Sequence, residues 1–66
     1  MEKMTWTEVR KKAGMTSAEM ADHLGISRPL YQMKETYKRV MRVEEAVEIA
    51  RVAGVDLQDV ILNTDE

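Results

Sequence analysis

The stretch from Thr16 to Glu35 constrains the fold of this chain more than any other part of the sequence. It begins with a Thr-x-x-Glu pattern, in which each of the two side chains caps the backbone of the other at the start of a helix. Apolar residues then recur at helical spacing until a glycine, which typically closes a helix. Ser27 can cap a second helix that begins at Arg28 and Pro29. Proline fits the first turn of a helix, where its missing N–H costs no hydrogen bond. The stretch therefore predicts two short helices, 17–24 and 28–37, joined by a tight turn.

The same signals divide the rest of the chain into three further helices. Thr5 and Glu8 repeat the Thr-x-x-Glu pattern ahead of the first helix. Asp56 can cap a last short helix after the glycine that ends the fourth. The predicted architecture is all-α and compact, with five helices at about 6–13, 17–24, 28–37, 43–53 and 57–62. We expect flexible tails at 1–4 and 63–66 on either side of one domain at 5–62.

Length and composition narrow the class of protein further. The 66-residue chain is long enough for one small domain and contains no cysteine for disulfides or thiolate metal sites. Its apolar runs fall short of the roughly 20 residues that a membrane span needs, and its N-terminus lacks the apolar core of a signal peptide. We therefore expect a cytoplasmic protein that does not contact membranes.

Charge is distributed unevenly along the chain, although the net charge is only −2. Residues 28–42 include five basic side chains and one acidic, whereas residues 43–66 include one basic and seven acidic. This asymmetry predicts a basic surface and an acidic back. The alternative is two solvated helix faces whose charges happen to segregate.

The residue types needed for catalysis are scarce. His23 is the only histidine, and it lies in the middle of a helix on a side expected to be exposed. The three glycines all serve as helix terminators, so no phosphate-cradling loop remains, and the acidic residues lack metal-loop spacing. We expect no enzymatic activity, no cofactor and no metal site.

Several short motifs, in order and spacing, resemble the phage repressor/Cro-like helix-turn-helix family over nearly the whole chain. The matching pieces are Val9-Arg-Lys-Lys-Ala-Gly-Met-Thr16, Glu19-Met-Ala21, Leu24-Gly-Ile-Ser-Arg28, Glu35, Val43-Glu44, Ile49-Ala50 and Ala53-Gly-Val-Asp-Leu57. The resemblance implies a lambda-repressor-like DNA-binding domain. Departures from the family's usual residues are Ser17 for Gln, Lys34 at an apolar place, and Tyr37, Met41 and Arg42 for a common Gly, Pro and Ser.

In a helix-turn-helix the second helix enters the major groove of DNA with its N-terminal residues against base edges. Arg28 can grip guanine, Gln32 can pair with adenine, and Pro29 and Met33 can touch thymine methyl groups. The resemblance implies the same positions for base contact. The expected phosphate contacts are Ser17, Ser27, Lys34, Lys38, Arg39 and Arg42.

The function expected from these residues is a sequence-specific transcriptional regulator of Cro or repressor type, phage or bacterial, located at the nucleoid when bound to an operator. The motif usually acts as a dimer on two half-sites. The expected dimer or partner surface, whose members could instead close the monomer core, comprises Met41, Leu57, Ile61 and Leu62. The resemblance also suggests a partly buried ion pair between Arg10 and Glu35.

An alternative function arises from the apolar character of the third helix and of the loop that follows it. A ridge formed by Leu30, Met33, Val40 and Met41 would suit docking of another protein, if these side chains are exposed rather than core. The alternative is therefore a modulator or antirepressor that binds a partner repressor. An antitoxin that binds both a toxin and its own promoter is a third class.

Overall fold

A computed structural model describes residues 2–62 and 64–65 of the chain. In this part of the chain it contains four α-helices, with a few short elements around the last: α1 (Trp6–Ala13), α2 (Ser17–Leu24), α3 (Arg28–Glu35), β1 (Met41–Arg42), α4 (Val43–Ala53), a 3-10 turn (Leu57–Asp59) and β2 (Thr64–Asp65). The strands β1 and β2 pair in parallel, with Met41 opposite Thr64 and Arg42 opposite Asp65. The mostly helical architecture with a helix-turn-helix is confirmed.

Local capping sets the bounds of the helices. The Thr16 hydroxyl accepts from the Glu19 N–H at 3.1 Å, and the Glu19 carboxylate accepts from the Thr16 N–H at 2.9 Å. The same reciprocal pair opens α1, and the Ser27 hydroxyl caps α3. Gly25 closes α2 in the left-handed conformation, with φ of 73°. As a result α1, α2 and α4 begin and end at the predicted residues.

The predicted fifth helix at 57–62 is wrong. Only a 3-10 turn forms, and Val60 is extended and lies opposite Met4. The Met4 N–H donates to the Asp59 carbonyl, and the Ile61 N–H donates to the Met4 carbonyl, each at 2.8 Å. This pairing satisfies the backbone of the segment without a helix and buries the Val60 side chain.

Both expected tails take part in backbone pairing. Met4 ends the expected N-terminal tail at 1–4, and its backbone is hydrogen-bonded to the opposite end of the domain. Thr64 and Asp65, in the expected tail at 63–66, pair with β1. Residues 1, 63 and 66 lie outside the described residues.

The third helix ends at Glu35, two residues before its predicted end. The Tyr37 N–H donates to the Lys34 carbonyl at 3.2 Å, and the Lys38 N–H donates to the Met33 carbonyl at 2.8 Å, which is a Schellman motif. Tyr37 takes the left-handed position, with φ of 67°. Its hydroxyl donates to the Ile61 carbonyl at 2.7 Å and accepts from the Trp6 N–H at 3.3 Å. Burial raises the pKa of the Tyr37 hydroxyl, which therefore stays a donor.

All four helices contribute to the hydrophobic core. Its fully or almost fully buried members are Trp6, Val9, Met20, Ala21, Tyr31, Met41, Ala46, Ile49 and Val60. Met41 was expected on a dimer surface and in an exposed ridge, and both expectations are corrected, because its side chain is 0% exposed. The site of Met41 between α3 and α4 explains this burial, since α4 and β1 pack together.

A buried carboxylate joins α1 to α3. Glu35 lies 2.7 Å from the Arg10 Nε, and the Tyr31 hydroxyl donates to it at 2.7 Å. Thr7 donates to its other oxygen at 3.1 Å. Burial acts to raise the pKa of Glu35, but the hydrogen bonds that its carboxylate accepts outweigh burial and leave that pKa below its ordinary value.

We predict that Glu35→Gln lowers the free energy of unfolding by about 3–5 kcal/mol, because Arg10 is then partly buried without an opposite charge. The lowered pKa means that the carboxylate stabilises the fold above pH 4.5 and loses this effect as the pH falls through the lowered value. The difference between parent and variant should therefore shrink in acid. Urea unfolding at pH 7 and pH 3 measures both effects. Glu44→Gln, at an exposed carboxylate of α4, is the control, and equal stability of Glu35→Gln and the parent at pH 7 contradicts the prediction.

We also predict that Tyr37→Phe lowers the free energy of unfolding by about 0.5–1.5 kcal/mol, because its hydroxyl hydrogen bonds are lost. In a domain of this size the melting temperature should fall by about 4–8 °C per kcal/mol. Tyr37→Gly removes the same hydrogen bonds but relieves the left-handed backbone. If thermal melts show Tyr37→Phe to be as stable as the parent, the hydroxyl contributes nothing to the fold.

Candidate nucleic-acid interface

The outward side of α3 is well separated from its buried side. Arg28, Pro29, Gln32 and Met33 are exposed, whereas Tyr31 is fully buried. Arg28 and Gln32 are four residues apart, which places them on the same side of a helix. The four residues expected to contact bases therefore share one accessible surface.

The first turns of α2 and α3 provide backbone donors beside this surface. Ser27 is exposed, and its hydroxyl accepts from the Leu30 N–H at 3.3 Å. Ser17 is the first residue of α2 and is half-buried. The N-terminus of a helix favours anions, because its N–H groups point outward and the helix dipole is positive there.

An open groove brings these residues together. Its volume is about 530 Å³, and its lining comes from α1, α2, α3 and the loop after α3: Arg10, Ser17, Pro29, Gln32, Met33, Glu35, Thr36 and Lys38. Three expected base contacts thus share one concave surface with two expected phosphate contacts. Arg28, at the start of α3, does not line the groove itself.

The loop from α3 to α4 supplies exposed basic side chains. Lys38, Arg39 and Arg42 are all exposed and follow α3 in the chain. The backbone of Arg42 is fixed, since its N–H donates to the Glu45 carboxylate at 3.0 Å. These three side chains place positive charge at the surface of the loop.

Lys34 does not belong to this basic surface, which corrects its expected phosphate contact. Its side chain is buried, and its Nζ lies 2.6 Å from the Glu45 Oε1. Sequence reasoning missed this ion pair because Glu45 lies on a different helix, within a run of acidic residues. One feature of the sequence could have indicated a buried ion pair: Lys34 occupies a place that is usually apolar in the repressor/Cro-like family.

The expected dimer surface is only partly exposed. Leu57 packs half-buried against the core, whereas Ile61 and Leu62 are exposed. Two valines of α4, Val43 and Val47, are exposed as well. In the expected apolar ridge, Leu30 is half-buried and only Met33 and Val40 are exposed.

His23 belongs to a hydrogen-bonded surface cluster whose residues are not part of the groove lining. Its Nε2 lies 2.6 Å from the Glu48 Oε2, which also accepts from Arg51 at 2.6 Å. Hydrogen bonds from Arg51 and then from His23 lower the pKa of Glu48 to about 2. Within residues 2–62 and 64–65 we find no acidic or histidine cluster suited to a metal ion. No described helix combines the length and apolarity required to traverse a bilayer.

Comparison with known proteins agrees with this geometry. The sequence model of the helix-turn-helix family matches residues 7–60, from α1 to the segment that pairs with Met4. No curated protein and no solved structure gives a significant match. Because the family match covers most of the chain, this protein belongs to the helix-turn-helix family of the XRE type, which comprises DNA-binding regulatory domains.

Proposed function

We propose that this protein is a sequence-specific transcriptional regulator of Cro or repressor type that reads the major groove with α3. The observation that supports this most is the outward side of α3, where Arg28 and Gln32 are exposed and next to a groove bordered by Ser17 and Lys38. Among the described residues that line the groove, Glu35 is the one that is acidic and buried, and it is paired with Arg10.

Each exposed side chain of α3 has a chemical role in this proposal. The Arg28 guanidinium presents two parallel donors that match O6 and N7 of guanine. The Gln32 amide offers one donor and one acceptor, which suit N7 and N6 of adenine. Pro29 and Met33 are apolar and contact thymine methyl groups. These base contacts determine sequence specificity, whereas the surrounding phosphate contacts set the position of the protein on the DNA.

Phosphates are bound on both sides of the reading helix in this proposal. Ser17 and Ser27 lie at helix N-termini, where hydroxyl and N–H donors face an anion. Lys38, Arg39 and Arg42 supply full positive charges from the loop. With Lys34 neutralised by Glu45, these three and Arg28 are the basic residues of the 28–42 region that are exposed.

A homodimer on two half-sites about one helical turn apart completes the proposal. Ile61 and Leu62 are its proposed contact residues, with Leu57 behind them, since both are exposed and apolar. The alternative function, a modulator that binds a partner repressor, is favoured by the exposed Met33 and Val40. Binding to mixed genomic duplex separates the two: an affinity that falls steeply with salt supports the regulator, and indifference to DNA supports the modulator.

We predict that Arg28→Ala weakens binding to the preferred duplex by about 1–3 kcal/mol and relaxes the preference at one base position. The preferred duplex is obtained by selecting genomic fragments with the parent chain. Affinities for this duplex and for a scrambled one are then compared. Unchanged discrimination between the two duplexes removes Arg28 from the reading residues.

We predict a different result for Lys38→Ala. This variant should weaken binding to both duplexes equally, because a phosphate contact carries no sequence information. The slope of log affinity against log salt should become shallower by about one unit. A variant that loses discrimination but keeps the salt slope would place Lys38 at a base instead.

A further inference from the structure

A buried ion pair joins the proposed reading helix to α4. The Lys34 Nζ lies 2.6 Å from the Glu45 Oε1, and the two side chains are 8% and 10% exposed. Removing both charges from water is costly, and apolar residues of similar volume often stabilise a fold equally well or better. Apolar residues can therefore replace much of the stabilisation that the two charges give each other, which leaves the directional geometry of the pair as its distinctive contribution.

The same carboxylate oxygen makes a second contact. Glu45 Oε1 also accepts from the Arg42 N–H at 3.0 Å. Arg42 is the last residue of β1, directly before α4, and its side chain is exposed. One atom therefore connects Lys34, on the reading helix, to the backbone of a proposed phosphate contact.

Glu35, the residue after Lys34 on α3, is bound to a different helix. Glu35 is paired with Arg10 of α1, whereas Lys34 is paired with Glu45 of α4. Consecutive residues of a helix project about 100° apart. Rotation of α3 about its own axis would therefore disturb both pairs at once, and hydrogen bonds weaken steeply when they are bent. Apolar contacts are less directional and restrain such a rotation less.

We infer that Lys34 and Glu45 are positioning residues for DNA recognition: their ion pair sets the rotation of α3 and its distance from the Arg42 backbone, and so determines which base edges Arg28 and Gln32 reach. Neither residue touches DNA in this scheme. The inference rests on the proposed function. It extends that function by placing part of the sequence specificity in a buried contact between α3 and α4.

The test replaces the pair by apolar residues in the double variant Lys34→Met/Glu45→Met. The net charge is unchanged, and we expect a melting temperature at most about 4–8 °C below that of the parent, because the Arg42 N–H loses its acceptor while the apolar pair replaces the ion pair. The ratio of affinities for the selected genomic duplex and a scrambled duplex should fall at least about fivefold, as for the loss of one well-oriented base contact. The matched control is Glu44→Met/Arg51→Met, which removes one exposed charge of each sign from α4, leaves the contact between His23 and Glu48 in place and should leave the ratio unchanged.

A conservative variant separates positioning from stability. Glu45→Gln removes the charge opposite Lys34, so this variant should melt at a lower temperature than the parent. Because the amide oxygen can still accept from both Lys34 and Arg42, the variant should retain the parent's discrimination. If the apolar double variant retains the parent's discrimination, the inference is overturned. Should that variant not fold, Glu45→Asp replaces it: this residue keeps the charge but reaches less far, and unchanged discrimination again overturns the inference. A parent chain that does not discriminate at all refutes the proposed function instead.

Discussion

The carboxylate of Glu35 is the contact on which the rest of the arrangement depends. It accepts hydrogen bonds from Arg10 and Thr7 of α1 and from Tyr31 one turn earlier on its own helix. These donors hold one edge of α3 against α1. Glu35 lines the same groove as Pro29 and Gln32, which are exposed beside it. The contact of this buried charge with α1 thus fixes where the proposed reading residues lie relative to the groove.

Sequence signals that act over three or four residues determine most of the helical architecture. Thr16 and Glu19 cap each other, and glycine adopts the left-handed conformation after α1, α2 and α4, so these helices could be delimited without knowledge of the tertiary structure. The segment after Asp56 could not be predicted in this way. Its cap forms, but Val60 pairs with Met4 from the other end of the domain, and no local pattern encodes that partner.

The candidate site shows the same division. The helical spacing of Arg28 and Gln32 was sufficient to place them on one exposed side of α3. Lys34 was expected to contact phosphate, and helical periodicity could not identify Glu45 as its partner on another helix. Tyr37 is a third case: its left-handed backbone arises from the turn that closes α3, and its hydroxyl contacts Ile61, far along the chain.

The pairing of Met4 with Val60 has a consequence for the order in which the chain folds. It brings together residues near the two ends of the described chain, so forming it encloses nearly all of the intervening backbone in one loop. Closing so long a loop is entropically unfavourable until the enclosed helices have become compact. We accordingly expect the capped helices and the contacts between neighbouring helices to form first, in the folding nucleus. The pairing of Met4 with Val60 is expected to form last.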